Sequence, residues 1–310
     1  MNIQLIPYKS SYDAAINELE NSIVQGKGVK LRILKNHFLD RATAFKEYHA
    51  CLAINKEDKV IGTAIGSKTK MIINGNMQEA GFGFDVKVDK MYRSRGIGRL
   101  MAKHQKDWFR REGLQKNFTT LKLSNLPVIK LNAKAIGKIW LYKFVYLTIS
   151  TGVQVRQVAV GADKGNFSVT LFDEGGLCPS FYTTFTNGLG CFYTGRLYRL
   201  RIERISWLYQ RGLWLLRQFR PHRFAQLPAE RDVMEFATLF NHSEKNISGI
   251  NQVLQHLHGQ GKKYLTVCCQ KKDFVYTMLK PYSISSYGYY MLSDFPLQQS
   301  DTVTIDVRCL

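Results

Sequence analysis

Nowhere does this 310-residue sequence run to the ~20 consecutive apolar residues that a membrane-spanning helix needs. The nearest stretch, IWLYKFVYLTIS, is too short and is broken by Lys143. The opening residues, MNIQLIPYKSS, contain no basic segment followed by an apolar one, so no export signal is read there and a cytoplasmic location is expected. Cysteine is sparse: Cys51, Cys178, Cys191, Cys268, Cys269 and Cys309 form no CxxC pair and no metal-ligand spacing with histidine. They read as reduced, structural thiols, and no metal site is expected. His256 and His258 stand two apart on a helix-like stretch and so point to different faces. Acidic residues are also few, 24 against 44 Lys and Arg, and the formal charge of +20 favours nucleic acid, an anionic membrane or a phosphorylated cofactor. The basic residues are spread along the chain without zinc-finger spacing or an RNA-binding aromatic signature, so no specific nucleic-acid partner is expected.

What is present is a globular pattern of 45% hydrophobic residues, long enough for about two domains. IQLIPY reads as a strand, SSYDAAINELENSIV as a helix after a Ser/Asp start, and HFLDRATAFKEY as a second short helix. HACLAINKEDKVIGTAIGSKTKMIING gives two strands around a polar turn, and GFGFDVKV a third. GRLMAKHQKDWFRREGL carries Leu100, Met101, His104, Trp108 and Phe109 along one side of a helix that Gly113 closes. A strand at FTTLKL, a helix from about Leu126 and a strand near KFVYLTIS complete an α/β (α+β) unit with a mixed sheet flanked by helices.

Between the strand ending at Val88 and the helix starting near Gly96 lies YRSRGIGRLM. A helix start leaves backbone N–H groups unpaired at the positive end of the helix dipole. Gly96 and Gly98 allow close backbone approach there, while Arg93, Arg95 and Arg99 add charge, which suits a pyrophosphate. The ending lacks the GK[ST] of a Walker loop and the third glycine of a dinucleotide fingerprint. Taken by itself, the same hexapeptide is equally a helix cap with solvated arginines.

VDKMYRSRGIGRLMAKHQKDWFRREGL resembles the acetyl-CoA-binding segment of the GNAT superfamily of N-acetyltransferases, and the resemblance spans roughly residues 1 to 155. It implies that the amides of Ser94, Arg95, Gly96, Ile97, Gly98 and Arg99, with Arg93, hold the cofactor pyrophosphate. It also implies that Val86 and Val88 pair with the pantetheine arm as an added strand would. SNLPVIKLNAKAIG resembles the family's next helix, with Asn125 at its head. Where many members then carry a tyrosine that protonates the departing thiolate, this chain has Asn132. Two strand positions where relatives often carry a Glu or His base are Phe82 and Phe84, and simple alternation sends Asp85 to the opposite face. Glu79 and Asp85 are expected to be ordinary polar residues on a sheet. The catalytic group that remains is the backbone amide of Val86, on the thioester oxygen.

The tail from Asp232 repeats the order strand, helix, strand, helix, strands, so residues 156–310 read as a degenerate second GNAT-like domain after a GNAT domain at 1–155. Its turn NHSEKNISG lacks the arginine-glycine pattern, so no second cofactor site is expected. This two-copy arrangement is similar to that of the plant Hookless-type acetyltransferases. In the intervening GRLYRLRIERISWLYQRGLWLLRQFRPHRF, arginines recur beside apolar residues. Helices facing the second domain's core, with Trp207 and Trp214 holding it together, are preferred here over a basic amphipathic helix on a membrane. The expectation is an N-acetyltransferase passing an acetyl group from acetyl-CoA to an amine of a small molecule or protein. The alternative is a non-catalytic acyl-CoA-binding protein on the same fold.

Overall fold

A computed structural model describes residues 3–26, 28–156, 165–172, 177–219 and 228–310. Among these the chain runs β1 (Gln4–Pro7), α1 (Asp13–Ser22), β2 (Val29–Leu34), β3 (Tyr48–Ile54), β4 (Val60–Ile73), β5 (Asn76–Val88), α2 (Ile97–Arg111), β6 (Asn117–Lys122), α3 (Leu126–Ile136) and β7 (Trp140–Ser150). It continues β8 (Phe167–Thr170), β9 (Tyr182–Thr184), β10 (Gly190–Tyr193), β11 (Arg199–Ile205), α4 (Trp207–Phe219), β12 (Val233–Met234), β13 (Phe236–Phe240), α5 (Ile250–Gly259), β14 (Tyr264–Cys269), α6 (Phe274–Leu279), β15 (Ser283–Ser293) and β16 (Val303–Asp306).

The long β4–β5 hairpin turns at Asn74 and Gly75, both at positive φ (50° and 81°), the two-residue turn whose twist matches antiparallel strands. From it grows a mixed sheet of order β1-β3-β4-β5-β6-β15-β7-β14-β13-β10-β9, with β16 beside β4. Three strand pairs are parallel: β8 with β16, and β5 with β6 and β13 with β14, the last two bridged by α2 and α5. These are the two β-α-β crossovers that the element order implied. β15 inserts between β6 and β7, antiparallel to both, so a strand of the second half fills a gap in the first. One apolar cluster joins Leu52, Phe82 and Phe144 of the first half to Phe192, Phe240 and Ile305 of the second. Burial of each such side chain contributes ~1.5–3 kcal/mol, so both halves draw on the same core.

Three local expectations are corrected and one strand is added. HFLDRATAFKEY is not a helix: it is a run of turns with one 3-10 turn at Ala42–Ala44, which lets Arg41 and Phe45 reach the sheet. VKLRIL, assigned to no element from the sequence, is β2, and it pairs with β11 some 170 residues away. On α2, Leu100 is exposed, while Ile97, Met101, Gln105, Trp108 and Phe109 form the buried stripe. Gln105 is tolerated there because its side-chain amide donates to the Ile65 carbonyl (2.6 Å). Lastly, the arginine-rich segment begins as strand β11, whose Ile202 and Ile205 take the core contacts. α4 then leaves the body with no buried residue, so Trp207 and Trp214 do not support a core. Arg220 and Arg223 lie outside the described residues.

Because β15 closes the sheet between β6 and β7, an isolated fragment of residues 1–155 keeps two open strand edges. That fragment is expected to melt without a cooperative transition and to bind the hydrophobic dye ANS. A sharp thermal transition in the fragment would show that the first half is self-sufficient.

Candidate functional site

The site starts from a failure of pairing. β5 meets β6 only at Gly81 with Asn117 and Phe82 with Phe118. Beyond that point β5 stays on β4 as far as Val88, and β6 stays on β15 as far as Lys122. The two strands splay, and the inner edge of β5 is left without a strand partner. Asp89 donates its N–H to Ile61 of β4 (2.9 Å), so alternation turns the N–H of Val88 toward the gap. Val86 lies on the same edge, 41% exposed.

A bulge separates Val86 from the regular part of the strand. Thr63 is opposite Lys87 and Ile65 is opposite Phe84, so the single Ala64 faces both Asp85 and Val86. Asp85 takes the extra position with φ 51°, a left-handed conformation that aspartate accepts more readily than most residues. The added residue shifts the alternation, which corrects the expected orientation: Asp85 lies on the same side as Phe82 and Phe84. The guanidinium of Arg41 stands 4.9 Å from the Phe84 ring, 5.5 Å from Phe82 and 5.9 Å from Tyr198, and its Nη1 is 3.9 Å from Asp85. Lys35 Nζ reaches Asp85 Oδ2 at 2.5 Å and Glu20 at 3.3 Å, and Lys87 also pairs with Glu20.

Sequence reasoning identified none of Glu20, Lys35, Arg41 and Lys87 as a group, because they come from α1, the turns after β2, and β5. Burial pushes the Asp85 carboxyl up, but Lys35, Lys87 and Arg41 outweigh it and hold the group well below the usual carboxylate range. Burial likewise lowers Lys35, while Asp85 and Glu20 more than restore it, leaving it above its ordinary value. A carboxylate held this firmly ionised is a structural anchor and a poor proton acceptor. Glu79 is an exposed partner of Lys68 (3.1 Å) farther down the hairpin.

Past Val88 the chain turns through Asp89, whose carboxylate accepts from the Met91 N–H (2.8 Å), and Arg93 donates through Nε to the Val88 carbonyl (3.2 Å). Ser94 and Gly96 both take positive φ, 63° and 84°. Such left-handed residues just ahead of a helix curl successive amides into a concavity that suits anions. The first helical bond runs from Leu100 to the Gly96 carbonyl (3.0 Å), which leaves the N–H groups of Ile97, Gly98 and Arg99 ahead of it with no side-chain cap. Arg93, Ser94, Arg95, Gly96 and Arg99 are exposed, and Gly98 is buried. A Cβ on Gly98 would stand 2.5 Å from Leu131 Cδ1, so this glycine also sets the approach of α3 to α2. Asn125 occupies the N-cap of α3, exposed and without a side-chain cap bond. Asn132 is buried on α3 and donates to the Val128 carbonyl one turn back (2.9 Å).

The second crossover differs in kind. After β13, the Asn241 N–H donates to Val169 of β8 (2.7 Å), and the Asn246 side chain bonds both the Asn241 carbonyl and the Ser243 N–H (each 2.8 Å). His242 is buried and bonded to the Cys268 carbonyl (2.8 Å). Where the first turn holds its amides open, this one folds the Asn246 side chain back onto its own backbone.

The Acetyltransferase (GNAT) family model matches residues 19–137. Saccharomyces cerevisiae N-myristoyltransferase, solved with bound myristoyl-CoA, is similar in fold over 97% of this chain and 84% of its own, with TM-score 0.55 and 8% identity. A fungal GCN5-related glucosamine N-acetyltransferase region, part of a multi-domain β-N-acetylglucosaminidase, covers 94% of this chain and 38% of its own, with TM-score 0.50 and 10% identity. Escherichia coli ribosomal-protein-S18-alanine N-acetyltransferase covers 46% of this chain and 81% of its own, with TM-score 0.35 and 14% identity. No curated protein sequence matches. The GNAT fold, a mixed sheet flanked by helices, is therefore the architecture here, with fold neighbours that extend over nearly the whole chain.

The Asp85 cluster yields a stability prediction with a defined sign. A depressed carboxyl contributes above its unfolded pKa, ~3.9, and the contribution is lost as pH falls through the folded value; the raised Lys35 contributes below ~10.4 and is lost above it. Lys35→Met, which strands a buried carboxylate, is expected to cost ~3–5 kcal/mol in urea unfolding at pH 7, and the Lys35→Met/Asp85→Leu double variant less. Asp85→Asn should flatten the fall in stability below pH ~4. Equal losses in the single and double Lys35 variants would show that the pair carries no coupling.

Proposed function

We propose that the chain is an acetyl-CoA-dependent N-acetyltransferase whose cofactor lies in the opening between β5 and β6. The observation that supports this best is the coincidence of a free strand edge with an uncapped, arginine-lined helix start immediately after it. A pyrophosphate fits the second feature and an extended amide-bearing arm the first. On this reading the amides from Ser94 to Arg99, with Arg93, hold the pyrophosphate. The Val86 and Val88 edge holds the pantetheine arm, and Asn125 borders the slot from α3.

Acetyl-CoA supplies an activated thioester, so the acceptor amine needs chiefly to arrive deprotonated and well placed. The Val86 N–H is the group assigned to the thioester oxygen, where it would donate as charge builds. Neither Asn132, bonded within its own helix, nor Asp85, held ionised by Lys35, is assigned a proton-transfer role. The amine proton is left to water, and the pH profile then follows the acceptor's own ionisation. We assign residues 1–155 to the catalytic domain and 156–310 to a GNAT-like copy that shapes the acceptor side, with an amine of a small molecule or a protein as acceptor.

The locked Asp85 and the asparagine at 132 favour a second reading, a protein that binds acyl-CoA without catalysis. Purified protein screened against amines and lysine peptides for release of free CoA separates the two. Turnover that is lost in Arg93→Ala/Arg99→Ala and changes less than ~3-fold in Asn132→Ala is expected. Calorimetric binding of acetyl-CoA without release by any amine would favour the binder. Gly98→Ala is the wrong probe of the loop alone, since its Cβ overpacks Leu131 and should lower stability by ~1–3 kcal/mol. Partial recovery of the urea midpoint in Gly98→Ala/Leu131→Ala checks that assignment.

A further inference from the structure

α4 is the one described α-helix that buries none of its side chains, although eight of its thirteen residues are apolar side chains or aromatics. Leu208, Leu215 and Phe219 recur at i, i+7 and i+11 and so form a single outward stripe; Leu208 is 73% and Phe219 81% exposed. Trp207, Arg211 and Trp214 form the adjoining stripe, with the Arg211 guanidinium 4.2 Å from the Trp207 ring. The inner side is set by Leu213, half-buried, and by Tyr209, whose ring packs against Gly28. The helix therefore meets the body through Tyr209 near its start and presents leucine, phenylalanine and tryptophan to solvent.

The charge around this patch has one sign. α4 contains Arg211 and Arg217 and no acidic residue, and residues 195 to 224 contain eight arginines and a single glutamate, Glu203. Glu203 is already engaged by Arg32 and Arg201 (2.6 and 2.8 Å). At the root of the helix, Arg204 of β11 stands in register with Lys30 of β2, both exposed, and neither forms an ion pair among the described residues. Like charges facing each other across a strand pair are unfavourable until an anion lies between them.

An exposed apolar stripe flanked by tryptophans and rimmed by arginine is the composition of a helix that lies in a lipid interface, with its aliphatic side chains in the acyl boundary and its indoles at headgroup depth. A second copy of this chain is disfavoured as occupant, because two +20 molecules would bring the same basic faces together. A nucleic acid would be met by the arginines but leaves Leu208, Leu215 and Phe219 without a function. We propose that α4 docks this protein peripherally on an anionic phospholipid bilayer, with Leu208, Leu215 and Phe219 inserted and Lys30, Arg204 and Arg211 on the lipid phosphates. The inference is independent of whether the GNAT domain is catalytic.

Flotation of the full-length chain with vesicles of phosphatidylcholine containing phosphatidylserine, against phosphatidylcholine alone, tests it at ~0.15 M salt. Binding to the anionic vesicles is expected, with a blue shift of tryptophan fluorescence. The triple variant Leu208→Ser/Leu215→Ser/Phe219→Ser keeps the net charge and alters only exposed positions, so its thermal midpoint should be unchanged. Its vesicle binding should fall at least ~10-fold. Vesicle binding that is absent, or equal in the triple variant, overturns the proposal; in the second case the overall charge alone is responsible. So does concentration-dependent self-association in sedimentation velocity, or retention of an RNA duplex, that disappears in the triple variant while vesicle binding does not.

Discussion

One added residue in β5 governs the rest of the site. With Asp85 inserted at positive φ, the strand is bent out of register with β4 just where β6 stops following it, and the two strands of the parallel pair separate. A left-handed aspartate costs on the order of 1 kcal/mol, and the salt bridge to Lys35 is what fixes it there. The carboxylate is in turn supported by Arg41, which spans the two phenylalanines where a strand base would otherwise stand. The free edge, its opening and the face beside it thus share one mechanical origin. The titration of Asp85 belongs to that mechanics.

The helix that follows is fitted to this bend. Ser94 and Gly96 turn the chain back so that α2 begins beside the free edge, and Gly98 lets α3 approach closely enough for Leu131 to rest on the helix start. One short segment therefore meets two demands, an open set of amides on one side and tight packing on the other. The second crossover has the same strand and helix order but meets neither demand, because Asn246 and β8 occupy the turn.

Much of this was legible in the residues. Alternation, the polar turns and the 3.6-residue stripe located most strands of the first 155 residues and of the tail from Asp232, with both crossover helices, and the arginine-glycine turn marked the helix start, because all of these are local signals. What escaped depended on partners far away. β2 alternates clearly, Val29, Lys30, Leu31, Arg32, Ile33, yet its pairing strand lies some 170 residues on. The side on which Asp85 lies could not follow from a period of two when a bulge resets the count. Glu20, Lys35 and Arg41 look like solvated charges until three separate segments bring them together. The exposure of α4 is equally non-local: its apolar spacing suits a core face as well as a lipid surface, and in the fold the neighbouring core contacts are made by Ile202 and Ile205 of β11.

The interleaving of β15 sets an order of events during synthesis. β6 ends at Lys122 and β15 starts at Ser283, so about 160 residues emerge after β6 before its neighbour exists. At ~5–20 residues per second that interval is roughly 10–30 s, far longer than helix or hairpin formation takes. Once β7 has also emerged, nascent β6 and β7 present unpaired edges, into which a strand of another nascent chain could slip. Closure of this sheet is therefore limited by arrival of β15, and the gap must stay clear until it comes.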